Sequence, residues 1–113
     1  MRHTLIAKNI EVTPELREYF ASKVDKLDRL IPTFADDLVS LQGTLEKNMK
    51  RGDYSTSLSL HFPQHTLHAE EQNRDVKAAI RSAVDELIRQ IDRFKSKLRR
   101  EHRWSVDKDL ANP

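Results

Sequence analysis

Seven cations in this chain are spaced so that a helix would gather them into two rows. Lys23, Lys26 and Arg29 recur every three residues, and Arg89, Arg93, Lys97 and Arg100 recur every three or four, which on helices puts each set in one ridge. Two such ridges facing each other would line a groove with positive charge, and the chemistry of such a groove is the binding of a polyanion such as a phosphate backbone. Lys77, Arg81, Lys95 and Arg99 would form a further ridge on the other flank of the second helix. The same spacing suits Lys and Arg stems that lie over an apolar stripe with their heads in water. Periodicity alone therefore leaves three readings: a nucleic acid, a protein partner, and a merely solvated surface.

Catalytic chemistry has less to stand on. The chain contains no Gly-rich phosphate loop and no GxSxG, and its acidic residues interleave with basic ones at the helix spacing of solvated ion pairs. With no cysteine there is no thiolate zinc site, iron–sulfur cluster, disulfide or cysteine nucleophile. The best cluster is His61, His65 and His68. A hairpin turning over Pro63–Thr66 would pair Phe62 with Leu67 and Leu60 with Ala69, setting His61 opposite His68 on the outer sheet face and His65 in the turn. Two facing imidazoles fall short of the four ligands of a closed metal site. They read as an exposed cross-strand pair, with no metal and no cofactor expected.

The elements that must position these residues follow from the apolar pattern. Residues 3–8, HTLIAK, read as a strand. Thr13 suits an N-cap, Pro14 the first helical position and Glu15 the positive end of the helix dipole. Leu16, Phe20, Val24, Leu27, Leu30 and Ile31 then make one stripe, and Pro32 is expected to end it. From Asp36 to Glu70 the period is two. Val39, Leu41, Gly43 and Leu45 alternate with polar residues, as do Tyr54, Thr56, Leu58, Leu60 and Phe62, so each run is a half-buried strand, with a loop at Lys47–Asp53 and a last strand at Leu67–Glu70. A long helix follows, opened by Asn73 or Gln72 with Asp75 in its first turn. Its stripe is Val76, Ile80, Ala83, Leu87, Ile91, Phe94 and Leu98. Three or four antiparallel strands and two amphipathic helices bury both stripes only as an α+β two-layer sandwich, with the helices side by side on one face of the sheet.

The chain's 113 residues suffice for one such domain. Residues 1–100 are expected to form it, and residues 101–113 read as a polar tail without periodicity that carries one aromatic, Trp104. No apolar run approaches the length of a bilayer crossing or a signal peptide, which points to the cytoplasm. The net charge of +2 conceals an asymmetry: residues 74–103 hold ten basic and five acidic residues, a surplus of five that leaves the remainder at −3. A chain with one basic end is expected to meet a polyanion with one surface.

The stretch Asn9-Ile10-Glu11-Val12-Thr13-Pro14-Glu15-Leu16-Arg17, the Lys23-x-x-Lys26-Leu27 run, and Leu87-x-Arg89-Gln90 followed by Arg93 and Lys97 resemble the ribosome hibernation-promoting factor / ribosome-associated translation inhibitor family over residues 1–100. The resemblance implies a βαβββα fold with a four-stranded sheet, related in shape to double-stranded RNA-binding domains. It also implies binding to the rRNA of the small ribosomal subunit in the mRNA and tRNA channel, with translation blocked and idle ribosomes protected. On that basis the protein is not an enzyme, takes no small-molecule substrate, does not engage membranes and is a monomer off the ribosome. The family's RNA-contacting positions fall on Lys23, Lys26, Arg29, Arg89, Arg93 and Lys97, with Arg100 extending the ridge. Lys77 stands where the family usually has Tyr, and Glu86 where a cation is often found. Thirteen tail residues are too few for the C-terminal domain with which long members join two ribosomes. Two other roles stay open, a protein-interaction module of the transcription-factor modulation type and a generic duplex-RNA binder.

Overall fold

The Thr13 hydroxyl accepts a hydrogen bond from the backbone N–H of Leu16 at 3.1 Å, and Pro14 follows it as the first helical residue, so the first helix starts where capping chemistry places it. The computed structural model describes the backbone of residues 1–31, 38–63 and 65–111 and, within these, side chains as far as position 97. In order, the elements are β1 (Arg2–Lys8), α1 (Pro14–Arg29), β2 (Ser40–Lys47), β3 (Tyr54–Phe62), β4 (His65–Asn73) and α2 (Val76–Ala111). This is the expected βαβββα sandwich, with sheet order β1-β2-β3-β4. Leu30 and Ile31 close α1 by donating to the carbonyls of Leu27 and Asp28, a tightened last turn. Pro32, expected to stop this helix, lies outside the described residues.

The stripes are buried as the periodicity requires. Leu16, Phe20, Val24, Leu27 and Ile31 of the α1 segment meet Val39, Leu41, Leu45, Leu58 and Leu60 of the sheet and Ile80, Ala83, Leu87, Ile91 and Phe94 of α2 in one core. Gly43 is part of that fit. A Cβ there would lie 2.8 Å from Cζ of Phe20, so glycine lets the ring of α1 rest against the strand backbone. The β2–β3 loop is closed by Asn48, whose side chain accepts from the N–H groups of Lys50 and Arg51, and by Gly52 at φ +75°.

Four local expectations are corrected. β1 pairs with β2 in parallel, not antiparallel: α1 carries the chain back along the sheet, so the next strand leaves in the direction of the first. The β3–β4 hairpin turns over two residues rather than four, pairing Phe62 with His65, Leu60 with Leu67 and Leu58 with Ala69. A shift of two preserves the faces, which is why the alternation could not report it. Helix α2 begins at Val76, with the Asp75 carboxylate accepting from the Lys77 N–H at 3.2 Å; Asn73 ends β4 and bonds to the Asp75 N–H. Asp75 is thus a cap outside the helix rather than a first-turn residue. Finally, α2 continues through the expected tail to Ala111. Residues 101–111 contain neither Gly nor Pro, and a helix already nucleated adds residues without needing an apolar stripe.

Candidate nucleic-acid interface

The rotation of each helix about its axis is set by its buried stripe, and that rotation decides where the cations stand. On α1, Tyr19 occupies the flank that meets α2: its hydroxyl donates to the Lys77 carbonyl at 3.3 Å. The ammonium groups of Lys23 and Lys77 lie 5.3 and 5.6 Å from the centroid of its ring, within cation–π range. Lys77 also bonds Glu15 across the two helices. That hydrogen bond, with the Coulomb attraction, holds the Glu15 carboxyl below its ordinary value and raises the Lys77 ammonium above its own. The helices are therefore joined at their N-terminal ends through Glu15, Tyr19 and Lys77.

This contact fixes which cations share the inter-helix groove. Lys23 and Lys26 lie one and two turns beyond Tyr19 on α1, and Arg81 lies one turn beyond Lys77 on α2; Lys26 and Arg81 are exposed. Tyr19, Leu30 and Ile88 are half-buried against the core beneath them. Lys95, five turns from Lys77, returns to the same flank of α2 beyond the span of α1. Arg29 is exposed at the last turn of α1.

Arg89 and Arg93 are exposed and converge on Glu86 of α2. Gln90 donates its amide to the His68 carbonyl of β4 at 2.7 Å and to Glu86 at 3.3 Å, which turns the Glu86–Gln90 flank toward the sheet edge. Glu86 takes the Nε and Nη2 of Arg89 on one oxygen at 3.0 and 2.8 Å. Its other oxygen lies 3.8 Å from the Nη2 of Arg93. The hydrogen bonds from Arg89 and Gln90 hold the Glu86 carboxyl below the usual carboxylate range. Lys97, three turns from Glu86, is exposed on the same flank. The side chains of Arg99, Arg100 and Trp104 lie outside the described residues.

The structure thus brings Lys77 to α1 through Tyr19 and Glu15, and it gathers Arg89 and Arg93 around Glu86. Periodicity places a residue on a helix and leaves open on which side the neighbouring helix lies, so either flank of α2 satisfied the pattern. Tyr19 and the Glu15–Lys77 pair were missed. The i, i+4 steps from Glu15 to Tyr19 to Lys23 were the available signal.

The histidines are also redistributed. With the two-residue turn, His61 shares a hydrogen bond with Thr66 at 3.2 Å and His68 with Ser59 at 2.9 Å, so the imidazoles are not opposite each other. His65 leaves the turn and stacks edge-on against Phe94 at 5.1 Å between centroids. Among the described residues no three His, Asp or Glu side chains are grouped to hold a metal ion.

Residues 4–99 match the family model described as Sigma 54 modulation protein / S30EA ribosomal protein. The chain is 32% identical over 111 residues to a ribosome hibernation promotion factor of Deinococcus radiodurans, covering 98% of this chain and 58% of that one. It is 27% identical over 99 residues to the ribosome hibernation promoting factor of Escherichia coli K12, covering 88% of this chain and 98% of that one. The chain therefore spans little more than half of the first relative and nearly all of the second. The crystal structure of the Thermus thermophilus Protein Y N-terminal domain aligns with a TM-score of 0.69 at 27% identity, over 83% of this chain and 99% of that one.

Proposed function

Because the chain belongs to the Sigma 54 modulation protein / S30EA ribosomal protein family, we propose that it binds the rRNA of the small ribosomal subunit and inhibits translation by occupying the mRNA and tRNA channel. Idle ribosomes are thereby kept intact in stressed, stationary-phase cells. The protein acts in the cytoplasm as a monomer, by occupancy, with no cofactor and no bond made or broken. One observation carries this reading: α1 and α2 meet at Tyr19 with Lys23 and Lys77 over its ring, and the helix period carries Lys26 and Arg81 along the same flanks. Arg29 at one end of α1, and Arg89, Arg93 and Lys97 on α2, all exposed, extend the basic surface. Cations on one face neutralise phosphates whatever the base sequence, and a helical layer with a groove meets folded RNA by shape. The names of the relatives, hibernation factors of ribosomes, agree with that partner. No helix among the described residues is long and apolar enough to cross a membrane.

The test is co-sedimentation of purified protein with small subunits at rising salt. The wild-type protein is expected to pellet at low salt and to be released as salt rises. Lys26→Glu/Arg81→Glu is expected to stay in the supernatant while keeping the wild-type melting temperature. If that variant pellets like wild type, the groove is not the binding surface. If wild type stays at the top of the gradient at low salt, the protein-interaction reading replaces this one. Equal affinity for small subunits and for arbitrary RNA duplexes would make it a generic duplex-RNA binder.

A further inference from the structure

A fixed carboxylate sits inside the outer cationic ridge of α2. Glu86 is 29% exposed and its two oxygens are divided between partners: Arg89 on one, Gln90 at 3.3 Å and Arg93 at 3.8 Å on the other. Gln90 is itself tied to the His68 carbonyl. The carboxylate is thus anchored from the sheet side while the two guanidinium groups reach it from the solvent side. Arg89 and Arg93 remain 63% and 74% exposed, so an external anion has access to their N–H groups. A guanidinium presents the same donors to a carboxylate and to a phosphodiester. Glu86 therefore occupies a donor set that RNA would use, and an exposed ion pair of this kind is weak enough to be displaced.

We propose that Glu86 is a specificity-determining residue for RNA, an internal competitor that ties up Arg89 and Arg93 until a phosphate backbone displaces it. Displacement leaves the carboxylate beside an incoming polyanion, which is unfavourable by itself. The outer ridge then contributes its full charge only to a ligand already held by Lys23, Lys26, Lys77 and Arg81, and short or loosely placed phosphate stretches are rejected. This inference rests on the RNA-binding reading above, and its test separates the two.

Glu86→Gln is compared with Asp92→Asn, which makes the same change in charge at an exposed position of the same helix. Each is run on immobilised heparin as a polyanion probe and on small ribosomal subunits. Glu86→Gln is expected to elute from heparin at higher salt than both wild type and Asp92→Asn. Its affinity for small subunits should fall about 3- to 10-fold more than that of wild type between roughly 50 and 200 mM salt, the signature of one or two added phosphate contacts. In an Arg89→Gln/Arg93→Gln background, Glu86→Gln should add no more than Asp92→Asn does, a coupling that a bulk charge effect would not produce. Identical behaviour of Glu86→Gln and Asp92→Asn, or weaker binding by Glu86→Gln, overturns the proposal. The expected heparin and coupling results with no sedimentation on small subunits uphold the competition and overturn the ribosome reading instead.

Discussion

Two positions mark where the core is imperfectly satisfied and where it leaves no room. Thr56 is fully buried, and its hydroxyl has no hydrogen-bond partner among the described residues. A buried hydroxyl without a partner loses its hydration for no return. Thr56→Val keeps the shape and removes that cost, so it is expected to stabilise the protein by about 1 kcal/mol, read as a higher urea midpoint at unchanged m-value. Gly43 is the opposite case. The methyl of Gly43→Ala would meet the ring of Phe20 at 2.8 Å, and that ring is itself buried. Overpacking of this kind is expected to cost roughly 1–3 kcal/mol, with Phe20→Leu in the Gly43→Ala background recovering part of the loss. Of these two features, only the placement of Gly43 on the apolar side of its strand was legible in the alternation. The reason for glycine there is a contact with a residue more than twenty positions away.

At the scale of elements, the two helices are registered by the Glu15, Tyr19 and Lys77 contact, and its charge pair gives it a pH window. Glu15 has its pKa lowered from 4.5 and Lys77 its pKa raised from 10.5, each mainly by the hydrogen bond to the other. The Glu15 contribution is present above its ordinary value and is lost as pH falls through the lowered one. The Lys77 contribution is present below its ordinary value and is lost as pH rises through the raised one. Lys77→Met is therefore expected to be less stable than wild type at neutral pH, with the difference shrinking below about pH 4.5 and with added salt, since both groups are exposed. Thermal melts across pH check this. The far end of α2 behaves differently. The last described residue of its buried stripe is Phe94, so deleting residues 105–113 is expected to leave the melting temperature nearly unchanged while lowering helical ellipticity. A large drop in melting temperature would mean that this segment packs as structure.

At the scale of the whole molecule, cations stand at the contact between the helices, Lys23 and Lys77, and around Glu86 on α2, Arg89 and Arg93. A single ligand that binds both must be broad and folded, as ribosomal RNA is. Binding by occupancy predicts inhibition of in vitro translation that saturates near one protein per ribosome and leaves rRNA uncut. mRNA or tRNA already in place should exclude the protein. Inhibition at far lower ratios with fragmented rRNA would contradict a role without turnover. The measurement is a translation titration followed by gel analysis of the rRNA.

The order of elements, the buried faces and the capping of α1 were all set by the sequence itself, because each depends on spacing within one element and on local backbone chemistry. The family resemblance was carried by short runs such as Asn9–Arg17 and Leu87–Gln90 in the same way. What the tertiary structure decided was every relation between elements. It set the parallel pairing of β1, which follows from the path of α1, and the two-residue hairpin, invisible to a pattern of period two. It also brought Lys77 to α1 through Tyr19 and Glu15. That last placement could not be read along the chain. A helix with an apolar stripe has two polar flanks of equal standing in its sequence, and only the side on which its neighbour packs makes them different.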